Sequence, residues 1–89
     1  MGISNETTEG ENIRAFERVE VLENATVIYT DGVTEQFEAV RLTDGGVIIG
    51  RIMNEGGHEE FVACGFIPRR NIKKINEGAK RKMAVRPLH

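Results

Sequence analysis

Apolar and polar residues alternate in short runs along this chain, and nearly every run ends at a glycine-containing turn. Val19 and Val21 share one side of an extended segment and Glu20 and Leu22 the other, as a period of two requires. Glu23-Asn24 has turn chemistry, and residues 25–30 form a β-branched run closed by Asp31-Gly32, a tight-hairpin signal. A further strand spans about residues 35–42. There Phe37 and Ala39 alternate while Val40 and Leu42 take the opposite parity, which predicts a β-bulge or a strand bent across a corner. Residues 43–46, Thr-Asp-Gly-Gly, make the second turn, and residues 47–53 follow with Val47, Ile48 and Ile49 apolar enough for the core. Gly50 within that run marks a bend or a close backbone approach. After the Asn54-Glu55-Gly56-Gly57 turn, residues 60–66 are almost continuously apolar, as in a central strand of a small closed sheet. Pro68 offers no N–H to a ladder and ends that pairing; Arg69-Arg70-Asn71 fits one helical turn, and residues 72–75 return as a last short strand.

About five short strands with turns at roughly ten-residue spacing predict a mainly β fold, a small five-stranded barrel or a sandwich. Closing such a sheet removes edges that would otherwise pair with other chains. Upstream, Thr8 followed by Glu11 has the form of a capping box, with Ile13 and Phe16 spaced as on one face of a short N-terminal helix. The competing expectation is that Gly10 breaks this start and that residues 13–22 are extended. Residues 1–10 are polar and expected to be poorly ordered, residues 11–77 form the single barrel domain, and residues 78–89 form a basic C-terminal tail, a frayed extension or a strand added to a neighbour.

With 89 residues the chain has room for one domain. Charged residues make up 29% and hydrophobic ones 39%, a balance that fits a soluble globular domain. No apolar run approaches the roughly 20 residues that span a bilayer, and residues 1–6 show no secretory signal, so a cytoplasmic location without a membrane partner is expected. The net charge of −2 hides a division. From Arg69 onward eight basic residues face one acid, Glu77, for a net +7; residues 1–68 carry four basic residues against thirteen acids, for a net −9. The basic end either recruits an anionic partner or pairs with the acidic body of its own or a neighbouring chain.

The run Gly65-Phe66-Ile67-Pro68-Arg69-Arg70-Asn71-Ile72-Lys73-Lys74-Ile75 resembles the second signature segment of the Sm-like family, with Ile67, Ile72 and Ile75 at the matching spacing. The stretch from Thr26 through Asp31-Gly32 to the Thr43–Gly46 turn resembles the bent strands of that family's first segment. Together the similarity covers about residues 13–75. It implies an Sm-like or SH3-like barrel, a homo-oligomeric ring and RNA binding. Two positions depart from the family pattern. Pro68-Arg69 stands where arginine followed by glycine is usual, and Asp44 is followed by Gly45-Gly46 rather than by a nearby asparagine. The resemblance therefore carries fold further than RNA specificity.

Candidate chemistry is concentrated in the basic residues. Arg69, Arg70, Lys73 and Lys74, with Lys80, Arg81 and Lys82, are the candidate nucleic-acid-binding set, because clustered guanidinium and ammonium groups neutralise phosphates and release counterions. Stacking platforms are scarce, since Tyr29, Phe37, Phe61 and Phe66 are mostly expected in the core. Cys64, the single cysteine, sits between Ala63 and Gly65 and is expected as a small buried hydrophobe. His58 beside Glu59 and Glu60 is common surface composition rather than a metal site. Glu20, Glu23, Glu35 and Glu38 are expected on solvated strand faces, and the Gly45-Gly46 and Gly56-Gly57 pairs lack phosphate-loop spacing. No catalytic constellation, cofactor site or small-molecule substrate emerges. The expectation is a non-enzymatic binding module for RNA or another anionic partner. The alternative is a self-associating structural or protein-interaction domain.

Overall fold

In a computed structural model, residues 18–86 are described. Strands β1 (Arg18–Tyr29), β2 (Thr34–Thr43), β3 (Gly46–Glu55) and β4 (His58–Pro68) precede a 3-10 turn (Arg69–Asn71), and β5 (Ile72–Asn76) and β6 (Ala79–Val85) follow it. Together they form one six-stranded sheet whose pairings close into a ring, β1 to β2 to β3 to β4 to β6 and back to β1. Every pairing is antiparallel except the β4–β6 seam, which is parallel and only two register pairs long, Glu60 with Ala84 and Phe61 with Val85. Among the described residues no helix is long and apolar enough to cross a membrane.

The mainly β expectation holds, with differences in detail. Six strands form rather than five, and the short N-terminal helix expected from Thr8 and Glu11 lies outside the described residues. The basic tail is not a tail, since residues 79–85 are a strand of the sheet. Met83 and Ala84 are buried in it, so the boundary drawn at residue 78 falls inside the folded unit. Glu23-Asn24 does not end a strand either. Asn24 takes a left-handed φ of 54° inside an unbroken β1, a conformation asparagine tolerates better than most residues.

The reason lies along one edge of β1. β6 pairs there from Arg18↔Ala84 to Glu23↔Ala79, and β5 from Thr26↔Asn76 to Ile28↔Lys74, in the same register. β5 and β6 are thus one nearly continuous strand, interrupted where Glu77-Gly78 passes Asn24-Ala25. At that joint a Cβ on residue 78 would lie 2.0 Å from the Glu23 carbonyl oxygen, so only glycine lets the two backbones meet.

Two buried clusters result. Val21, Ala39, Phe61 and Met83 form one; Leu22, Ala25, Val40 and Val47 form the other. Val21 and Leu22 are sequence neighbours, as are Ala39 and Val40, and successive strand side chains point to opposite faces. The β1–β2 pair therefore buries both its faces. That explains the parity switch in residues 35–42 without the expected bulge, because β2 keeps a single register to both of its partners. The register shifts occur elsewhere, between Ile28 and Tyr29 opposite β5, and between Ile49 and Gly50 opposite β4. The bend signalled by Gly50 is the second of these. The β3–β4 turn at Gly56-Gly57, with φ of 60° and 80°, is the hairpin type that demands two left-handed residues.

Candidate nucleic-acid interface

The 3-10 turn is held by backbone, not by charge. Pro68 enters it extended, with φ −62° and ψ 144°, and no side chain caps it. The Arg69 N–H donates to the Gly45 carbonyl at 2.9 Å, and the Thr30 N–H donates to the Asn71 carbonyl at 3.0 Å. One end of the turn is tied to the β2–β3 connection and the other to the β1–β2 hairpin. Thr43 braces the first of these connections, its hydroxyl donating to the Gly46 carbonyl at 2.9 Å.

Beyond the turn, Lys73 is the extra residue in the β1–β5 pairing, because Tyr29 pairs with Ile72 and Ile28 with Lys74. An extra residue shifts the alternation by one. Ile72 and Ile75, three apart, therefore both pack against Leu22, Ala25, Val40 and Val47. This bulge is the physical content of the isoleucine spacing seen in the sequence, and Ile67 joins it as a buried residue.

Between the β2–β3 connection and β5 a groove of about 350 Å³ opens, with Leu42, Val47, Ile72 and Ile75 at its apolar surface and Arg69, Lys73 and Lys74 along it. Leu42 is 51% exposed here. Arg69, Arg70, Lys73 and Lys74 are all exposed, and none forms an ion pair with a carboxylate among the described residues.

The rest of the basic set behaves differently. Arg81 reaches two carboxylates, Glu23 at 2.6 Å and Glu59, and Lys80 lies 3.6 Å from Glu77. Lys80 and Lys82 border a shallow depression that also includes Glu20. Arg86 donates from Nε and Nη2 to Glu60 at 3.0 and 2.9 Å, while His58 Nε2 lies 3.8 Å from the other Glu60 oxygen. The Arg81–Glu59 and Arg86–Glu60 pairs flank the parallel β4–β6 seam. Six positions apart on a nearly continuous strand, Lys74 and Lys80 are separated by about 20 Å. The seven candidate residues therefore form two groups; in the first, Arg69, Lys73 and Lys74 line the groove together with Glu77, and Arg70 adjoins Arg69 on the turn.

Two other residues are placed away from expectation, whereas Glu35 and Glu38 are exposed on β2 as expected. Cys64 is exposed, not buried, because it is the extra residue of the β3–β4 bulge, between Gly65 opposite Ile49 and Ala63 opposite Gly50. Phe66 is 54% exposed, whereas Phe61 is fully buried. Glu23 is engaged by Arg81; Glu38 accepts the Ile52 N–H at 3.0 Å; Glu35 accepts the Tyr29 hydroxyl at 2.8 Å. Partial burial of the Tyr29 phenol, reinforced by the Glu35 carboxylate, pushes its pKa up to about 12. Among the described residues no group of three or more metal-ligating side chains comes together. Family models, curated proteins and solved structures offer no match to this chain.

Proposed function

We propose that this chain is a small SH3-like or Sm-like barrel acting as a non-enzymatic binding module for a polyanion, single-stranded RNA in particular, through Arg69, Arg70, Lys73 and Lys74. The carrying observation is that these four cations form no ion pair among the described residues, and that three of them, Arg69, Lys73 and Lys74, line a groove with an apolar floor and a single acid, Glu77, whose recorded ion pair is to Lys80. Cations left unneutralised on a turn fixed by backbone hydrogen bonds, and on the strand that follows it, are presented to phosphate oxygens without first breaking an internal pair. The apolar floor accepts the faces of bases. The barrel reading is supported by the succession β5-β1-β2-β3-β4, by the ring of pairings and by the 3-10 turn between β4 and β5.

The test is fluorescence anisotropy of a labelled single-stranded RNA with the full chain at low and at physiological salt. Binding whose affinity falls steeply with salt is expected. No binding at low salt would refute the reading.

A second reading, self-association, is favoured by one observation. Only Glu60 and Phe61 of β4 pair with β6, so along residues 62–67 that edge has no neighbouring strand among the described residues, and β5 is likewise an outermost strand. Sedimentation at low and high protein concentration separates the two. A monomer throughout excludes self-association, and an oligomer that does not bind RNA excludes the first reading.

A further inference from the structure

Where the β4–β6 seam ends, the two strands part. The last link is the Arg86 N–H donating to the Phe61 carbonyl at 3.0 Å. Beyond it lies a cleft of about 490 Å³ walled by Ile48, Ala63, Phe66 and Val85. Ile48, Ala63 and Val85 pack directly on the cluster of Val21, Ala39, Phe61 and Met83, so the cleft is continuous with a hydrophobic core. An apolar group placed there would extend that core and cover Phe66, now 54% exposed. The volume falls in the range of small-molecule sites, about 300 to 1,000 Å³.

Charge decides what kind of molecule fits. Two guanidinium groups line the cleft, Arg41 and Arg86. Arg86 is already neutralised by Glu60. Arg41 pairs across the sheet with Ile48, which puts both side chains on one face, and it forms no ion pair among the described residues. The cleft therefore offers an apolar wall and one uncompensated positive charge, in a planar fork that matches the two oxygens of a carboxylate. We propose that this cleft binds a small apolar monocarboxylate, its hydrocarbon body against Ile48, Ala63, Phe66 and Val85 and its carboxylate on Arg41. The site lies apart from the groove at β5 and does not depend on RNA binding there.

Cys64, the sole cysteine, is exposed and lines the cleft, so its alkylation rate reports whether the cleft is filled. The full chain is treated with N-ethylmaleimide in the presence of decanoate or decanol, both below their aggregation limits. Decanoate is expected to slow alkylation saturably, at a concentration at least about tenfold lower than decanol requires, since a charge-assisted pair to arginine contributes about that factor. In Arg41→Gln the advantage of decanoate over decanol is expected to vanish. Equal protection by the acid and the alcohol in the unaltered protein overturns the proposal even if Arg41→Gln fails to fold. Protection that rises with protein concentration and without added ligand also overturns it, since a second copy would then be the occupant.

Discussion

The two basic stretches, residues 69–74 and residues 80–86, look alike in composition and do opposite things. In the first, Arg69 and Arg70 stand on a turn tied down by main-chain hydrogen bonds from Arg69 to Gly45 and from Thr30 to Asn71, Lys73 and Lys74 follow on β5, and none of the four is paired with a carboxylate among the described residues. In the second, Arg81 and Arg86 are consumed by Glu23, Glu59, Glu60 and Glu55, and Met83 is buried between them. Part of the +7 end thus does meet the −9 body, within one chain, but only in its second half. Backbone anchoring leaves side chains available for a partner. Side-chain anchoring uses up Arg81 and Arg86, while Lys82 between them stays unpaired among the described residues.

The hardest way to break the contrast is at the joint between the stretches. Gly78→Ala drives a Cβ into the Glu23 carbonyl at 2.0 Å, and both partners are backbone, so neither can rotate away. A loss of about 3 kcal/mol is expected, the upper end for an overpacked site. Chemical denaturation of the variant checks it. An unchanged midpoint would mean that β5 and β6 are not held in one register along β1.

Next in size is the effect on binding. Arg69→Ala with Arg70→Ala is expected to weaken RNA binding by about tenfold per arginine. It should also lower the slope of log affinity against log salt by about 1.4, at about 0.7 per phosphate on a single strand. Lys80→Ala with Lys82→Ala should leave affinity within about threefold at physiological salt, because about 20 Å exceeds a Debye length of about 8 Å. Equal losses in the two double variants would make the basic residues one surface, not two.

A smaller effect is expected from Arg81→Ala. Two exposed ion pairs beside a short parallel seam contribute about 0.5 to 1 kcal/mol, shrinking as salt rises. RNA binding should not change. Loss of binding with unchanged stability would move Arg81 into the interface and dissolve the distinction.

Part of this was legible in the chain. The Asp31-Gly32, Thr43–Gly46 and Gly56-Gly57 turns and the β-branched runs between them mark the first four strands, and Ile67, Ile72 and Ile75 mark the approach to the basic turn. What could not be read is what depends on long-range partners. Glu23-Asn24 carries genuine turn chemistry, yet β1 runs through it because β5 and β6 pass along its edge. Cys64 has apolar neighbours on both sides, and only the register of β3 against β4 makes it the bulged residue that faces out. Residues 79–82 are too polar to suggest a strand; the alternation of Met83 and Val85 was the available signal, too short to stand alone. Arg81 finds Glu23 and Glu59 at 58 and 22 residues' separation, which no local pattern reveals. The division of the basic residues into two groups follows from those contacts.

The subtlest probe reads the groove end by itself. Tyr29 pairs with Ile72 beside the basic turn, it is the only tyrosine, and the chain has no tryptophan, so phenolate absorbance reports one site. Its pKa is raised from 10.0 to about 12, by partial burial first and then by the Glu35 carboxylate, so the folded state favours the neutral phenol. The stability this contributes is complete below pH 10 and is lost as pH rises through 12. Glu35→Gln should lower the midpoint toward 10 without reaching it, since burial remains. In Arg81→Ala the midpoint should stay near 12, because the pairs that variant removes join β6 to Glu23 of β1 and Glu59 of β4, and Arg81 is not among the groups that shift Tyr29. A midpoint that falls in Arg81→Ala as far as in Glu35→Gln would show that loosening the seam opens the groove end as well, and that the two stretches, though used differently, are mechanically one.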